Sequence, residues 1–361
     1  MTPRILLIYT GGTIGMIKNP ETGALKAFNF AELLIHVPEI KLLDCEVETF
    51  SFDRPIDSSN MNVDYWGLLA ALIDDRYDKY DGFVILHGSD TMSYTGSVLS
   101  FMFENLQKPV ILTGSQLPIG DLRTDAKENL ITSLQLACQR STHHPIIKEV
   151  CIYFEYQLYR ANRTAKMNAE HFEAFSSPNY PPLAVSGVHL NIDRDLLWGG
   201  SRDIAFAKAG LKENLYKEHK DGMIYRPGLD SRVVVLKLFP GINREVVAGI
   251  CGIPSLKGII LETYGSGNAP TEAWFLDELK KAVAQGIFII NVTQCRGGAV
   301  DMGKYETSVR LKHLGIISGA DITTEAALAK LMYLLHHCDN HDTFKTVFER
   351  SIRGEMSPLL S

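Results

Sequence analysis

Short apolar runs rich in β-branched residues alternate along this chain with longer segments of helical periodicity. The apolar runs Ile5–Tyr9 and Phe83–His87 are separated by a helical segment over Asp64–Arg76, and a second helical segment covers Met92–Leu106. A parallel strand pair needs a long connection, usually a helix, whereas an antiparallel pair needs only a turn. The alternation therefore predicts an α/β fold with a mostly parallel sheet and helices on both faces.

The chain divides into two such regions. Its 361 residues correspond to two domains at roughly 150 residues per domain. Periodicity is lost over residues 191–230 and resumes at Val233–Leu236. We predict a larger N-terminal domain over residues 1–190 with a mostly parallel, flavodoxin-like sheet, a linker over 191–230, and a smaller C-terminal parallel-sheet domain over 231–361.

Composition and charge exclude several classes of protein. Hydrophobic residues make up 45% and charged residues 22% of the chain, which is the balance of a soluble globular protein. The net charge is −6 and the basic residues are scattered, so no nucleic-acid partner is expected. The longest apolar runs are far shorter than the roughly 18 residues of a membrane span, so no membrane partner is expected either.

The cysteines and the first residues favour a cytoplasmic location. The six cysteines are widely spaced without a CxxC pair, which is typical of reduced thiols in a chain of this size. The apolar run over residues 5–8 is too short for the core of a signal peptide. His336, His337, Cys338 and His341 lie close together, but at the end of a predicted surface helix without a carboxylate–histidine pattern, so no metal is expected.

Glycine and hydroxyl residues are concentrated directly after the predicted strands. Thr10–Gly15, His87–Thr91 and Thr113–Gln116 each follow a strand, and ligands of open α/β sheets bind outside the carboxyl ends of the strands. These loops contain no GxGxxG, P-loop or GxSxG motif, so dinucleotide binding, P-loop phosphate binding and a nucleophile elbow have no support. Hydroxyl-rich loops suit a small polar ligand or a hydroxyl nucleophile.

Each polar residue also has an ordinary structural explanation. Thr13 in a glycine-rich turn would more often cap the backbone than attack a substrate. Ser89, Asp90 and Thr91 precede a helical segment, so one of them could serve as its N-cap. Lys166 considered alone is typical of a solvated lysine. Residue type therefore leaves both explanations open.

A series of short motifs, each weak alone, runs along essentially the whole chain. The motifs are Tyr9–Met16, Asp57–Ser59, His87–Met92, Leu112–Gln116, Tyr159–Lys166, Tyr264–Pro270 and Thr293–Cys295. In this order they resemble the bacterial-type L-asparaginases, in particular the cytoplasmic type I group.

This resemblance implies an amidohydrolase that converts L-asparagine and water to L-aspartate and ammonia, with a threonine nucleophile that falls on Thr13. A second catalytic cluster falls on Ser89, Asp90 and Lys166. The resemblance also implies homodimers or homotetramers and no metal or organic cofactor. The positions that match those holding the amino and carboxylate ends of the substrate are Asp57, Ser58, Ser59, Ser89 and Asp90.

A threonine hydroxyl attacks an amide only with help from a base and from groups that stabilise the oxyanion. Desolvation would favour a neutral Lys166 and the Asp90 carboxylate would favour the charged form, a balance that the sequence leaves open. Ser89 stands where relatives usually have threonine, so the rotamer restraint of the β-branch is lost.

Two further site residues rest on the resemblance alone. Residues 16–28 contain no tyrosine, although many relatives have a catalytic tyrosine there. Tyr305 matches a position that some type I relatives use instead, and an ordinary semi-buried tyrosine is the alternative. Asn268 corresponds to a residue that completes the pocket of a neighbouring subunit.

Some type I members bind a second, regulatory asparagine. Cys295 matches that site, but Ala165 and Glu262 replace the polar and cationic residues expected there. Because Glu262 would repel the carboxylate of the ligand, we predict no such activation and a hyperbolic dependence of rate on asparagine concentration.

Other functions remain open. A glutaminase-asparaginase of broader specificity would use the same residues, whereas the asparaginase-like subunit of a tRNA amidotransferase usually has an extra N-terminal domain, which is not expected here. A non-catalytic amino-acid sensor would keep Asp57, Ser59 and Asp90 for binding. It would not need Thr13, Ser89 and Lys166 together. Ammonia release from asparagine and from glutamine distinguishes these functions.

Overall fold

The computed structural model describes residues 2–18, 25–27, 37–199, 211–212, 215–303 and 306–358. The chain forms two compact units, the first from Met1–Gly199 with Tyr216–Pro227 and the second from Gly200–Leu215 with Gly228–Ser361. Within the described ranges, no helix combines the length and the apolar character that crossing a bilayer demands.

The main sheet of the first unit is parallel over most of its width. Its parallel strands are β1 (Arg4–Tyr9), β2 (Glu46–Ser51), β3 (Gly82–Leu86), β4 (Val110–Thr113) and β5 (Val150–Phe154). They are ordered β2-β1-β3-β4-β5, which is the flavodoxin-like order. Antiparallel strands β6 (Gln157–Arg160), β7 (Ala184–Ser186) and β8 (Leu190–Ile192) extend the sheet beyond β5. The flavodoxin-like prediction is confirmed.

The central strands of this sheet are buried, because the helices that connect parallel strands pack against the sheet. Every residue of β3 is buried, as expected for a strand that is covered on both faces. Among the described residues, the helices of the first unit are α1 (Val63–Arg76), α2 (Met92–Met102) and α3 (Ala126–Ala137). α1 begins after Asn62, whose side chain accepts hydrogen bonds from the N–H groups of Asp64 and Tyr65 and so satisfies two donors of the first turn.

A small sheet made of Phe103–Glu104, Ile224–Tyr225 and Lys217–Glu218 changes two predicted boundaries. The helix predicted to reach Leu106 ends earlier, where Phe103–Glu104 becomes extended. The segment predicted as a linker, residues 191–230, contributes the other two strands, and these belong to the first unit. The pairing joins segments that are distant in sequence, so local periodicity does not reveal it.

The first unit also contains short hairpins and 3₁₀ turns. The paired strands are Met16–Lys18 with Leu25–Ala27, Arg140–Ser141 with His144–Pro145, and Ala165–Lys166 with Phe175–Ser176. The 3₁₀ turns are Thr13–Gly15, Pro38–Leu42, Ser58–Asn60, Tyr77–Lys79, Ser89–Thr91, Ala161–Arg163 and Arg194–Leu196.

The second unit contains a smaller, entirely parallel sheet, as predicted. Its strands pair in the order β9 (Val233–Lys237), β10 (Gly258–Thr263), β11 (Phe288–Thr293) and β12 (Ile317–Ser318). Its helices within the described ranges are α4 (Arg244–Cys251), α5 (Ala273–Ala284), α6 (Glu306–His313), α7 (Thr324–His337) and α8 (His341–Phe348).

A buried ion pair links the segment after α8 to helix α7. Lys330 Nζ lies 2.5 Å from Glu355 Oε1, and both side chains are fully buried. Lys330 Nζ also donates to the carbonyl oxygen of Phe348 at 2.7 Å, and Glu355 Oε2 accepts the N–H of Arg353 at 2.7 Å. The additional hydrogen bonds offset part of the cost of removing two charges from water.

Candidate functional site

The loops after β1 and β3 lie in contact at the point where the strand order of the main sheet reverses, which is the usual ligand-binding position of this architecture. Gly12 has a φ of 94°, and a Cβ on Gly12 would lie 2.6 Å from the backbone nitrogen of Gly88. Only glycine tolerates both the conformation and the approach. Thr13, which is half-buried, is therefore held beside the loop that carries Ser89.

The Asp57–Ser59 turn is the third part of this cluster. The Thr91 hydroxyl donates to the carbonyl oxygen of Ser58 at 2.8 Å, and a Cβ on Gly88 would collide with the Ser58 side chain. Thr91 is the N-cap residue of α2, yet its hydroxyl makes no capping hydrogen bond. Its side chain thus links two loops and does not cap the first turn of α2.

Asp57 presents a carboxylate at the surface of this cluster. Its Oδ1 accepts hydrogen bonds from the backbone N–H of Ser59 at 3.0 Å and from the Ser59 hydroxyl at 2.5 Å. The hydroxyl bond, followed by the backbone bond, lowers the pKa of Asp57, because both stabilise the charged form. Asp57 therefore supplies a negative charge at neutral pH.

Lys166 connects the predicted catalytic groups. It lies in the short strand Ala165–Lys166, and its Nζ donates to Ser89 Oγ at 2.9 Å and to Asp90 Oδ1 at 2.7 Å. The Lys166 side chain is 18% exposed, whereas that of Asp90 is 65% exposed. The structure thus brings Ser89, Asp90 and Lys166 together, with one side of the cluster open to solvent.

Gln116 is a partner of Ser89 that the sequence did not single out. Its Nε2 donates to the carbonyl oxygens of Ala169 at 3.1 Å and His171 at 3.0 Å. Because the amide hydrogens are used there, Oε1 faces Ser89 and accepts its hydroxyl at 3.3 Å. The backbone N–H of Gln116 donates to Asp125 Oδ2 at 2.8 Å. The sequence signals for Gln116 were its place in a polar loop after a strand and in the Leu112–Gln116 motif.

His87 supports the same loop from inside the protein. Trp66 Nε1 donates to Thr95 Oγ1 at 2.9 Å, and Thr95 Oγ1 lies 2.9 Å from His87 Nε2. The carbonyl oxygen of Gly88 can only accept, so the ring proton lies on Nδ1, which donates to that oxygen at 2.7 Å. In the neutral ring, Nε2 then accepts the proton of the Thr95 hydroxyl. Burial lowers the pKa of His87 to about 4, so the imidazole is neutral.

Of the two remaining predicted site residues, one lies in the second unit and the other lies outside the described residues. Asn268 lies in the second unit, in a loop after β10 where its backbone pairs with that of Tyr264. Tyr305 lies outside the described residues. Neither assignment is tested by the geometry of the first unit.

Glu262 and Cys295, which match the predicted regulatory position, form hydrogen bonds within the second unit, and Glu262 also forms an ion pair. Glu262 Oε1 accepts the hydroxyl of Thr324 at 2.7 Å, and Oε2 lies 3.2 Å from Lys237 Nζ. Lys237 therefore offsets part of the charge of Glu262. Cys295 is exposed, and its backbone N–H donates to Thr293 Oγ1 at 3.0 Å.

The histidines near the end of α7 have packing contacts. His337 is fully buried, with its ring 4.6 Å from that of Tyr333. Burial, followed by the charge of Lys212, lowers the pKa of His336. In the part of the chain that the structure describes, no group of three or more His, Cys, Asp or Glu side chains is arranged to hold a metal ion.

The fold and the site define an α/β enzyme scaffold with hydroxyl, lysine and carboxylate groups at the switch point of its main sheet. The chain belongs to the asparaginase family. The family described as "Asparaginase, N-terminal" matches residues 4–197, and "Glutaminase/Asparaginase C-terminal domain" matches residues 232–348. The resemblance drawn from the sequence motifs is therefore confirmed.

Individual relatives align with this chain over nearly its whole length. L-asparaginase 1 from Escherichia coli strain K12 is 41% identical over 356 residues, which cover 98% of each protein. The structure of L-asparaginase I from Vibrio cholerae is 38% identical, with a TM-score of 0.84, and the match covers 99% of this chain and 100% of that one. The 60 kDa lysophospholipase of Mus musculus is 38% identical, over 98% of this chain and 62% of that protein.

Proposed function

We propose that this protein is an L-asparaginase, which hydrolyses the side-chain amide of L-asparagine to L-aspartate and ammonia. Membership of the asparaginase family supports the proposal. The observation that carries it is the contact of Lys166 Nζ with Ser89 Oγ and Asp90 Oδ1 beside the loop of Thr13. A protein that only binds an amino acid needs no such lysine–hydroxyl contact.

In the proposed reaction, the oxygen of the Thr13 hydroxyl attacks the amide carbon of asparagine and the C–N bond breaks. The amide nitrogen leaves as ammonia with the proton of that hydroxyl, and an acyl-enzyme ester remains. Water then hydrolyses this ester and releases aspartate. Ser89 accepts a hydrogen bond from Lys166 and donates one to Gln116. These two hydrogen bonds would hold the Ser89 oxygen in a position to accept the proton of the Thr13 hydroxyl and to orient the attacking water.

The charged groups around Thr13 would hold the two ends of the amino acid. The carboxylates of Asp57 and Asp90 suit the α-ammonium group, and the hydrogen bonds that Asp57 accepts keep it ionised. The hydroxyl group of Ser58 suits the α-carboxylate, whereas the Ser59 hydroxyl donates its proton to Asp57 and holds that carboxylate in place. Further substrate and catalytic contacts from Asn268 and Tyr305 remain proposals that rest on the family resemblance.

Ammonia release tests the proposal and separates it from its alternatives. Wild-type protein should release ammonia from L-asparagine, and Thr13→Ala should lower kcat on the order of 10³-fold or more, because the attacking group is removed. Thr49→Ala, an exposed threonine of β2, is the matched control and should retain full activity.

A loss of less than tenfold in Thr13→Ala would contradict the role of Thr13 as the nucleophile. Similar kcat/KM values for asparagine and glutamine would indicate a glutaminase-asparaginase of broader specificity. Binding of asparagine without ammonia release from either amide would indicate a sensor.

We further propose a cytoplasmic homodimer or homotetramer that works without a cofactor. The six free cysteines support a reducing compartment, and the family resemblance supports the assembly. Light scattering should give a mass of two or four chains, and a monomer would contradict the assembly. Dialysis against EDTA should leave the asparagine-hydrolysing activity unchanged.

A further inference from the structure

Asp125 is the N-cap residue of α3, yet its side chain makes no capping hydrogen bond. The neighbouring Thr124 takes that role, because its hydroxyl oxygen accepts the N–H of Ala126 at 3.0 Å. Aspartate at an N-cap ordinarily binds the first turn of its own helix. The carboxylate of Asp125 is used elsewhere.

Both oxygens of this carboxylate bind the loop after β4. Asp125 Oδ2 accepts the N–H of Gln116 at 2.8 Å, and Oδ1 accepts the N–H of Leu117 at 3.1 Å. Asp125 is 6% exposed, and this burial, opposed by the two N–H groups, raises its pKa. The two hydrogen bonds offset part of the cost of burying the carboxylate and fix two successive peptide units of the loop.

Asn129, one turn further along α3, supports the same loop. Its Nδ2 donates to the carbonyl oxygen of Gly114 at 3.0 Å and to Asp125 Oδ2 at 3.3 Å. Its Oδ1 accepts the N–H of Glu155, in the turn after β5, at 3.1 Å. Asn129 is fully buried, so the carboxylate of Asp125 is itself held in place from inside the protein.

The side chain of Gln116 extends this constraint to the predicted catalytic cluster. Its Nε2 donates to the carbonyl oxygens of Ala169 and His171, and its Oε1 accepts the hydroxyl of Ser89. Both carbonyl groups belong to the loop that follows Lys166. One glutamine side chain therefore joins the loop that carries Ser89 to the loop that follows Lys166.

The loop after Lys166 is closed by hydrogen bonds of its own. The N–H of Met167 donates to the carbonyl oxygen of Ala174 at 2.7 Å, and Asn168 Oδ1 accepts the N–H of His171 at 3.0 Å. Because these bonds begin at the residue next to Lys166, a displacement of the loop is transmitted to the lysine.

We propose that Asp125 is a positioning residue that fixes Gln116 and, through it, the relative positions of Ser89 and Lys166. Ser89 donates to Gln116 Oε1 and accepts a hydrogen bond from Lys166 Nζ, so a fixed Gln116 keeps the Ser89 proton directed away from the lysine. Without Asp125 the Gln116 backbone loses its anchor and the Ser89 hydroxyl rotates more freely. The effect on catalysis rests on the proposed hydrolysis of asparagine, whereas the positioning itself does not.

A double-mutant cycle tests the proposal. Asp125→Asn keeps the size of the side chain but replaces one acceptor oxygen by a donor, so one of the two backbone N–H groups loses its acceptor. We expect kcat for asparagine to fall roughly tenfold with less than about a twofold change in KM, as in Gln116→Leu. The double variant should fall no more than about twofold below either single variant, because both changes remove the same constraint.

Asp74→Asn is the matched control for this cycle. Asp74 is also 6% exposed, but it lies in the last turn of α1, before the amino end of β3, where it pairs with Lys217 and His219. Its kcat should stay within about twofold of the wild-type value, since none of these partners touches the cluster. Losses that multiply to roughly a hundredfold in the double variant would overturn the proposal, and so would an unchanged kcat in Asp125→Asn.

Hydrogen–deuterium exchange separates this proposal from the proposed function, because it needs no substrate. Asp125→Asn and Gln116→Leu should each speed the exchange of the peptide covering residues 167–174 on the order of fivefold, the factor that corresponds to one lost hydrogen bond, and Asp74→Asn should not. Unchanged exchange of this peptide in Asp125→Asn would refute the positioning role even in a protein that hydrolyses asparagine. Wild-type protein that releases no ammonia while the variants show the faster exchange would contradict the proposed function and support the positioning role.

Discussion

His87 should make the first unit less stable as the pH falls below about 6.5. Burial lowers its pKa from 6.5 to about 4, and the ring is 1% exposed. Between these two values the unfolded chain binds a proton that the folded chain excludes, so the free energy of unfolding falls as the pH falls. Above pH 6.5 both states are neutral at this residue and no penalty applies.

The magnitude follows from the size of the shift. Each pKa unit corresponds to about 1.4 kcal/mol, so the shift of His87 amounts to about 3 kcal/mol, reached in full at pH 4 and below. A penalty of this size is a large fraction of the stability of an ordinary domain, which is about 5–15 kcal/mol.

Comparison of urea unfolding in wild-type protein and His87→Gln isolates this effect. Glutamine keeps a donor and an acceptor at this position but does not titrate. Unfolding is followed by tryptophan fluorescence from pH 7.5 to pH 4. In the difference between the two unfolding free energies, the contributions of all other titratable groups cancel. Trp66 reports on the region directly, because its indole donates to Thr95 in the same hydrogen-bond series.

The wild type should lose about 3 kcal/mol relative to His87→Gln over this pH range. His143→Gln, which changes an exposed histidine, is the control and should follow the wild type. Parallel curves for wild type and His87→Gln would refute the assignment of a buried, neutral imidazole, and a gain of relative stability in acid would reverse its sign.

Further predictions concern the site and the core. Gln116→Leu should lower kcat roughly tenfold with little change in KM, because Ser89 loses a fixed partner; an unchanged kcat in steady-state assays would contradict this. Asp57→Asn should lower kcat/KM for asparagine at least about tenfold but not for succinamate, which lacks the α-amino group; equal losses would argue against contact with that group. The rate should depend hyperbolically on asparagine concentration, and sigmoidal curves would reveal the regulatory site predicted to be missing. Lys330→Met should lower the free energy of unfolding by about 3–5 kcal/mol, because Glu355 remains buried without its partner; a urea-measured loss below about 1 kcal/mol would contradict that account.

The sequence by itself determined the architecture and predicted the position of the candidate site. Alternating buried strands and helical segments predict parallel sheets, and glycine-rich loops after β1 and β3 predict a site at their carboxyl ends. These are local signals: a buried parallel strand is apolar along its length, and a tight turn needs glycine wherever it occurs. Local patterns alone therefore place Thr13 and Ser89 at the same edge of the sheet.

Only the tertiary structure decided which side chains meet. Gln116 becomes a partner of Ser89 because carbonyl groups from a distant loop take up its amide hydrogens. The segment at Ile224–Tyr225 becomes a strand because it pairs with Phe103–Glu104, which also ends α2 early. Such contacts depend on how the packed elements bring remote segments together. Local periodicity predicts secondary structure but not these contacts between distant residues.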